Sequence, residues 1–233
     1  MPTRPAPGRS SRKRHWWRWL LAGVAALVVL LVLATGLIVK LQPSAAPLAL
    51  PRAVAAAPAG PLDGTWGTAA GSVAGFRVQE RAVGMSNDVV GRTNAVTGTF
   101  VISGGRVTGA AFRIDLTAMK VSGKTQPQFA KSLGAAAHRY ATFTLGRPVT
   151  LSPGFASGAI STATVSGQLT MNGTSRPVTF TVSGRRNGAA LQAAGSIPVP
   201  FTRWGIRGPA GYGFLGSLAD RGIAEFLFVL RRQ

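Results

Sequence analysis

With six carboxylates, two histidines and no cysteine, the chain has little material for catalysis. Without cysteine there is no disulfide, thiol nucleophile, zinc finger or thiolate-held cluster, and no mispairing risk in an oxidising compartment. His15 and His138 cannot by themselves build a multi-histidine metal site. His138 precedes Arg139-Tyr140 in a loop and reads as an exposed or hydrogen-bonded side chain. Asp88 and Asp115 could form a general acid–base pair, but nothing in their spacing brings them together. Asp115 falls on the strand face opposite Phe112, Ile114 and Leu116, beside Arg113, which reads as a solvated face; Asp220 and Glu225 are read the same way. Gly211-Tyr212-Gly213-Phe214-Leu215-Gly216 fits G-x-G-x-x-G. A dinucleotide site also needs a preceding parallel strand, a following helix and an acid some 20 residues on, and the flanks here read as strand. Asn172-Gly173-Thr174 is a glycosylation sequon, but Asn-Gly is also the preferred two-residue hairpin turn, which is the reading adopted. No nucleophile elbow or Ser-x-x-Lys motif frames a serine. The chain therefore reads as a binding protein rather than an enzyme, with no catalytic residues, no metal site and no cofactor.

The elements that carry these residues fall into segments of different charge. The formal net charge is +20. No acid occurs before Asp63; residues 1–62 carry +8 and residues 63–233 carry +12. Abundant Ala, Gly, Pro and Arg look like a GC-rich coding bias, which could account for part of the arginine excess. Residues 1–19 form a basic tail ending in Arg12-Lys13-Arg14-His15-Trp16-Trp17-Arg18-Trp19. Leu20 to Val39 then runs without a charge, which at 1.5 Å per residue is roughly 30 Å, the thickness of a bilayer core. Three tryptophans stand where an aromatic belt would lie, and the basic excess before the run puts the N-terminus in the cytoplasm. A cleaved signal peptide is the rival reading. Its apolar region should be shorter, about 7–15 residues, and the nearest good A-x-A, Ala55-Ala56-Ala57, lies well beyond this run. Basic residues beside a membrane have an electrostatic role at anionic lipid, so a nucleic-acid partner is not expected. Residues 40–62, rich in proline and alanine, read as a stalk that need not fold and could extend about 3.1 Å per residue.

Residues 63–233 read as all-β. Period-two alternation places Phe76 with Ala74 and Val78, Phe112 with Ile114, Phe143 with Leu145, Val165 with Leu169, Phe180 with Val182, and Leu191 with Ala193 and Ile197. Gly104-Gly105, Asn172-Gly173 and Asn187-Gly188 mark tight hairpins. The last strand, Ala224 to Leu230, alternates less cleanly. About eight antiparallel strands make a barrel or sandwich, and Thr125 to Ala137, which lacks alternation, could supply a short helix capping one end. The inward faces mix bulky residues with small ones at Gly167, Ala193 and Gly195. A barrel with a hollow apolar lumen would leave such places small, and an eight-stranded barrel can hold one small ligand. Bulges or barrel bends would explain the glycines equally well.

Several strings now align with a known family: Ser72-Val73-Ala74-Gly75-Phe76-Arg77-Val78, Asn87-Asp88-Val89-Val90-Gly91-Arg92, Tyr140-Ala141-Thr142-Phe143 and Ile197-Pro198-Val199-Pro200-Phe201-Thr202-Arg203-Trp204-Gly205-Ile206. The most specific is Gly167-x-Leu169-Thr170-x-x-Gly173-x-x-Arg176-Pro177-Val178-Thr179-Phe180. The chain resembles the YceI-like polyisoprenoid-binding family over essentially all of residues 63–233. The resemblance implies an extended, lipocalin-like antiparallel β-barrel with an apolar tunnel around an isoprenoid chain, in proteins often exported and not known for a shared catalytic set. The chain departs from the family at residues 120–137, where the family often shows an Arg-Asp-x-His-Leu string near a tunnel mouth.

The expected protein is a single-pass cell-membrane protein with an extracytoplasmic barrel that sequesters or carries a polyisoprenoid or similar long-chain lipid. The residues expected to line the tunnel are Phe76, Val78, Phe112, Ile114, Phe143, Leu145, Val165, Leu169, Phe180, Val182, Leu191, Ala193 and Ile197. Arg185-Arg186 and Arg203 to Arg207 read as solvated faces or as basic rims that meet anionic lipid head groups. The alternatives are an envelope-structural or adhesion domain that binds anionic cell-wall polymer, and a lipid-modifying enzyme, for which no clustered His/Asp/Ser set is seen.

Overall fold

The computed structural model describes residues 23–31, 44–53, 60–82, 85–207 and 216–233. It divides into two units, residues 1–43 and 44–233. In the first unit, residues 23–31 form a helix, α1, with Val24, Leu27 and Leu30 exposed. The basic tail and the rest of the Leu20–Val39 run lie outside the described residues. Among those described, no helix is long and apolar enough to cross a membrane.

The second unit is all-β. Its strands are β1 (Gly64–Thr68), β2 (Val73–Ala82), β3 (Met85–Thr93), β4 (Val96–Ser103), β5 (Arg106–Asp115), β6 (Lys120–Val121), β7 (Lys124–Thr125), β8 (Tyr140–Leu145), β9 (Val149–Thr150), β10 (Ser161–Met171), β11 (Thr174–Asn187), β12 (Ala190–Pro200), β13 (Gly216–Leu218) and β14 (Arg221–Arg232). Eight of them close an antiparallel ring in the order β1-β4-β5-β8-β10-β11-β12-β14, with β14 pairing back to β1. Closure removes the free edges that an open sheet would expose.

The strands form where period-two patterning meets turn chemistry. Along β10, buried and more exposed residues alternate from Val165 to Met171. Its outward hydroxyls pair across to β11, Ser166 with Thr179 and Thr162 with Ser183, each at 3.0 Å. Asn172 and Gly173 link the two strands with φ of 47° and 70°, the doubly positive turn that suits strand twist.

β14 is long enough to serve two partners in succession. Leu230–Arg232 pairs with β1, and Ile223–Leu227 pairs with β2. From β2 the ladder runs outward through β3, β6 and β7 rather than returning to β4. The hydrogen-bonded wall is therefore continuous at the β1 end and parted at the β2 end. Helix α2 (Pro127–Ser132) stands at the parted end, with the Phe129 ring 6.1 Å from that of Phe76. The other end is packed solid: Trp66, Ile102, Leu191 and Leu230 are at most 2% exposed, and Phe155 of a short 3-10 turn packs among them.

Two features differ from the expectations above. Residues 44–53, read from sequence as part of a free stalk, belong to the barrel unit and cross its outer face. The carbonyls of Ala45, Ala46 and Pro51 accept from Arg77, Arg92 and Arg185, and the Leu48 N–H donates to Glu225 at 3.0 Å. Glu225, expected on a solvated face, is buried beneath this strap and ion-paired to Arg92 at 2.9 Å and Arg77 at 3.6 Å. Arg185 and Arg186, expected as a solvated rim, are buried too, because the strap and the Gly60 carbonyl cover them.

Candidate functional site: an apolar lumen

The inner faces of the ring enclose a cavity of about 180 Å³. Strands β5 and β8 present Phe112, Ile114, Phe143 and Leu145 to it; β10 and β11 present Val165, Leu169, Phe180 and Val182. Strand β12 adds Leu191, Ala193 and Ile197, and β2 adds Phe76. Val78 stands apart from this group. It lines a second, smaller cavity of about 60 Å³ at the parted end. Gln192 and Glu225 also border the main cavity, but their polar heads are engaged by Arg185 and by Arg92 with Arg77.

Several lining residues were not anticipated, chiefly Phe226 and Phe228 of β14, with Phe100, Phe155, Leu116, Met119, Leu133 and Met171. In β14 the outward Leu227 and Val229 are apolar as well, which blurs the alternation that would have marked the inward pair. The rings of Phe112, Phe228, Phe226, Phe180 and Phe143 form a continuous series, with successive centroids 4.4, 4.7, 6.1 and 5.4 Å apart.

Glycines explain how so many rings leave space. Phe76, Phe112 and Phe226 face Gly91, Gly98 and Gly195 directly across neighbouring strands. Phe143 stands diagonally to Gly167. A Cβ at each glycine would fall 2.3–2.9 Å from an atom of its ring. The rings thus lie down on bare backbone instead of projecting into the lumen, as aromatic side chains do when they cover sheet glycines. Gly167 and Gly195 are therefore seats for phenyl rings.

The candidate chemical groups do not converge. Asp115 accepts from Arg139 Nη2 and Nε at 2.6 and 3.0 Å and from Thr117, which holds its carboxyl down at about 2. Asp88 pairs with Arg77 at 2.9 Å. Among the described residues no three His, Asp or Glu side chains gather as metal ligands would. Residues 211–215 of the glycine motif lie outside the described residues. What the site offers is a water-excluding apolar wall, with the Gln192 and Glu225 heads drawn to arginines outside it, suited to burying a hydrocarbon.

A profile of the YceI-like domain matches residues 68–223. Among solved structures, a polyisoprenoid binding domain from Saccharophagus degradans implicated in plant cell wall breakdown superposes with a TM-score of 0.56. It shares 15% identity over 72% of this chain and 98% of that one. BcnA of Burkholderia cenocepacia aligns at 18% identity over 66% of this chain and 95% of its own, with a TM-score of 0.48. The likeness to the Saccharophagus degradans domain is one of fold. No curated protein matches the chain.

Proposed function

The chain belongs to the YceI-like family, and on that premise we propose that it is a membrane-anchored, extracytoplasmic binding protein that holds a polyisoprenoid or similar long-chain lipid in its barrel. The observation that carries this reading is the lumen wall, in which aliphatic and phenyl groups from successive strands surround a cavity and the neighbouring polar heads face away. The similarity to a domain described as polyisoprenoid binding supports the same ligand class. Holding the lipid is a matter of burial rather than bond making. Each methylene removed from water contributes about 0.8 kcal/mol before ordering costs, so a long chain binds without a polar anchor inside the barrel. The charge-free Leu20–Val39 run and the basic residues before it support the anchor and its orientation.

The test is mass spectrometry of lipid extracted from the purified full chain, with binding of an added polyprenol measured on the stripped protein. Recovery of an isoprenoid lipid and saturable rebinding are expected; neither co-purified lipid nor rebinding would overturn the reading. Orientation is tested by adding protease to sealed right-side-out membrane vesicles, which should digest the barrel; full protection until lysis would reverse it.

A further inference from the structure

We infer that Phe76, seated on Gly91, belongs to a movable partition between the two cavities, and that a lipid chain too long for the inner cavity passes this partition to the parted end of the barrel. The inference rests on the proposed lipid-binding reading and adds to it the residues that set chain length.

Volume decides that a long chain needs more room than the main cavity gives. Its space is about 180 Å³. An engineered apolar cavity of about 150 Å³ accommodates a single benzene, so a long polyisoprenoid needs more room than this space alone gives. The solid end offers nothing further, since Trp66, Ile102 and Leu230 fill it with at most 2% exposure. The additional space lies at the other end, in the second cavity of about 60 Å³. Four residues, Phe76, Leu133, Met171 and Ala224, border both cavities, so a single layer of side chains separates them.

That layer is built to move. Met171 is unbranched and adapts its shape at little cost. Leu133 is the C-cap of the six-residue helix α2, which is too short to be stable without its packing. The Phe76 ring lies directly opposite Gly91, and a Cβ there would meet its Cε1 at 2.3 Å, its Cζ at 2.7 Å and its Cδ1 at 2.9 Å. The nearest atoms to the missing Cβ all belong to this one ring. Gly91 thus keeps the ring against the wall, where it leaves the passage to Met171 and Leu133. Arg207 is the one charged side chain among the described residues that border the second cavity. The apolar tail therefore lies inward, and the polar end of the lipid stops near that rim.

The experiment uses the full chain and three probes of increasing length: geraniol, geranylgeraniol and a long polyprenol. In Gly91→Ala the new methyl pushes the Phe76 ring off its seat and into the passage. Affinity for the two longer probes should fall by at least about tenfold, while geraniol binding stays within about twofold. Gly91→Ala combined with Phe76→Leu should restore long-chain binding. If Gly91→Ala does not fold, Phe76→Leu alone carries the test and should strengthen long-chain binding without changing that of geraniol. Equal losses for all three probes, no loss for any, or failure of the double variant to recover would overturn the partition. Failure of the wild-type chain to bind any probe would instead overturn the lipid reading itself.

Discussion

The backbone N–H of Leu48 donates to the Glu225 carboxylate at 3.0 Å, across 177 residues of sequence. Glu225 sits on the outer face of β14 with its side chain 3% exposed, between Arg92 at 2.9 Å and Arg77 at 3.6 Å. Its charge is thus shared between two guanidinium groups and one amide of the strap. Glu225→Ala would leave the half-buried Arg92 without its counter-charge and Arg77 with Asp88 alone, a loss of about 1.5–3 kcal/mol. The melting temperature should drop, the Leu48 amide should exchange freely, and trypsin should cut faster after Arg52. Unchanged protection of Leu48 would show that the strap is held without Glu225.

The glycine seats make a second prediction, with an internal control. At Gly167 a Cβ would fall 2.3 Å from the Thr144 carbonyl oxygen and 2.5 Å from the Phe143 ring. The carbonyl cannot turn aside, so Gly167→Ala should cost about 3 kcal/mol, the upper range for overpacking. At Gly109 the nearest atoms are 3.8 Å away, and Gly109→Ala should be neutral or stabilise by about 0.5 kcal/mol. Denaturant melts of the two variants check both; similar costs at both positions would refute the account.

These two cases also mark the limit of reading the sequence. Alternation at Val178, Phe180 and Val182 and the turn at Asn172-Gly173 reveal strands and hairpins because side-chain pattern and φ preference are local. The seats are not local: Gly195 acquires its meaning only once strand register sets it opposite Phe226. The strap leaves no side-chain signal at all. It docks mainly through main-chain carbonyls and one amide, and its alanines and prolines read as a linker. Glu225 gave the one available hint, an acid set in a strand whose outward neighbours Leu227 and Val229 are apolar.

The open end of the barrel carries exposed Lys120, Lys124, Lys131, Arg203 and Arg207, none ion-paired to a described carboxylate. Attraction of these groups to anionic head groups would be screened by salt. Binding of the chain's barrel face to vesicles containing phosphatidylglycerol should therefore weaken steeply from low to near-physiological salt. The charge-neutralised variant with glutamine at all five positions should lose most of that dependence. Salt-independent binding would assign the contact to apolar insertion.

Ala193 borders the main cavity opposite Phe228 and Gly184. Ala193→Phe would place a ring in the space proposed for lipid carbons. A solid interior would answer with about 1–3 kcal/mol of overpacking, whereas a lumen would accept the ring. The variant should purify without lipid and melt no lower than wild type stripped of lipid, the proper reference because ligand raises apparent stability. A destabilised variant that still carries lipid would exclude this position from the binding space.

Asp115 and Arg139 provide a pH test at the edge where β5 meets β8. Asp115 Oδ2 accepts two bonds from the Arg139 guanidinium, and Oδ1 accepts the Thr117 amide and hydroxyl at 2.9 and 2.6 Å. The hydrogen bond from Arg139 is the largest influence, and the carboxyl is lowered from 3.8 to about 2. Because the folded carboxyl is the stronger acid, the unfolded chain binds the proton first as pH falls. The stability this group contributes is therefore complete above 3.8 and is lost as pH drops through about 2. Asp115→Asn removes the titrating group while keeping an acceptor oxygen for Thr117. Measured against pH, the stability difference between wild type and Asp115→Asn should be constant above 3.8 and shrink towards about 2. A difference that stays constant across that interval would show that Asp115 titrates alike in the folded and unfolded chain, and that its contacts with Arg139 do not favour the ionised form.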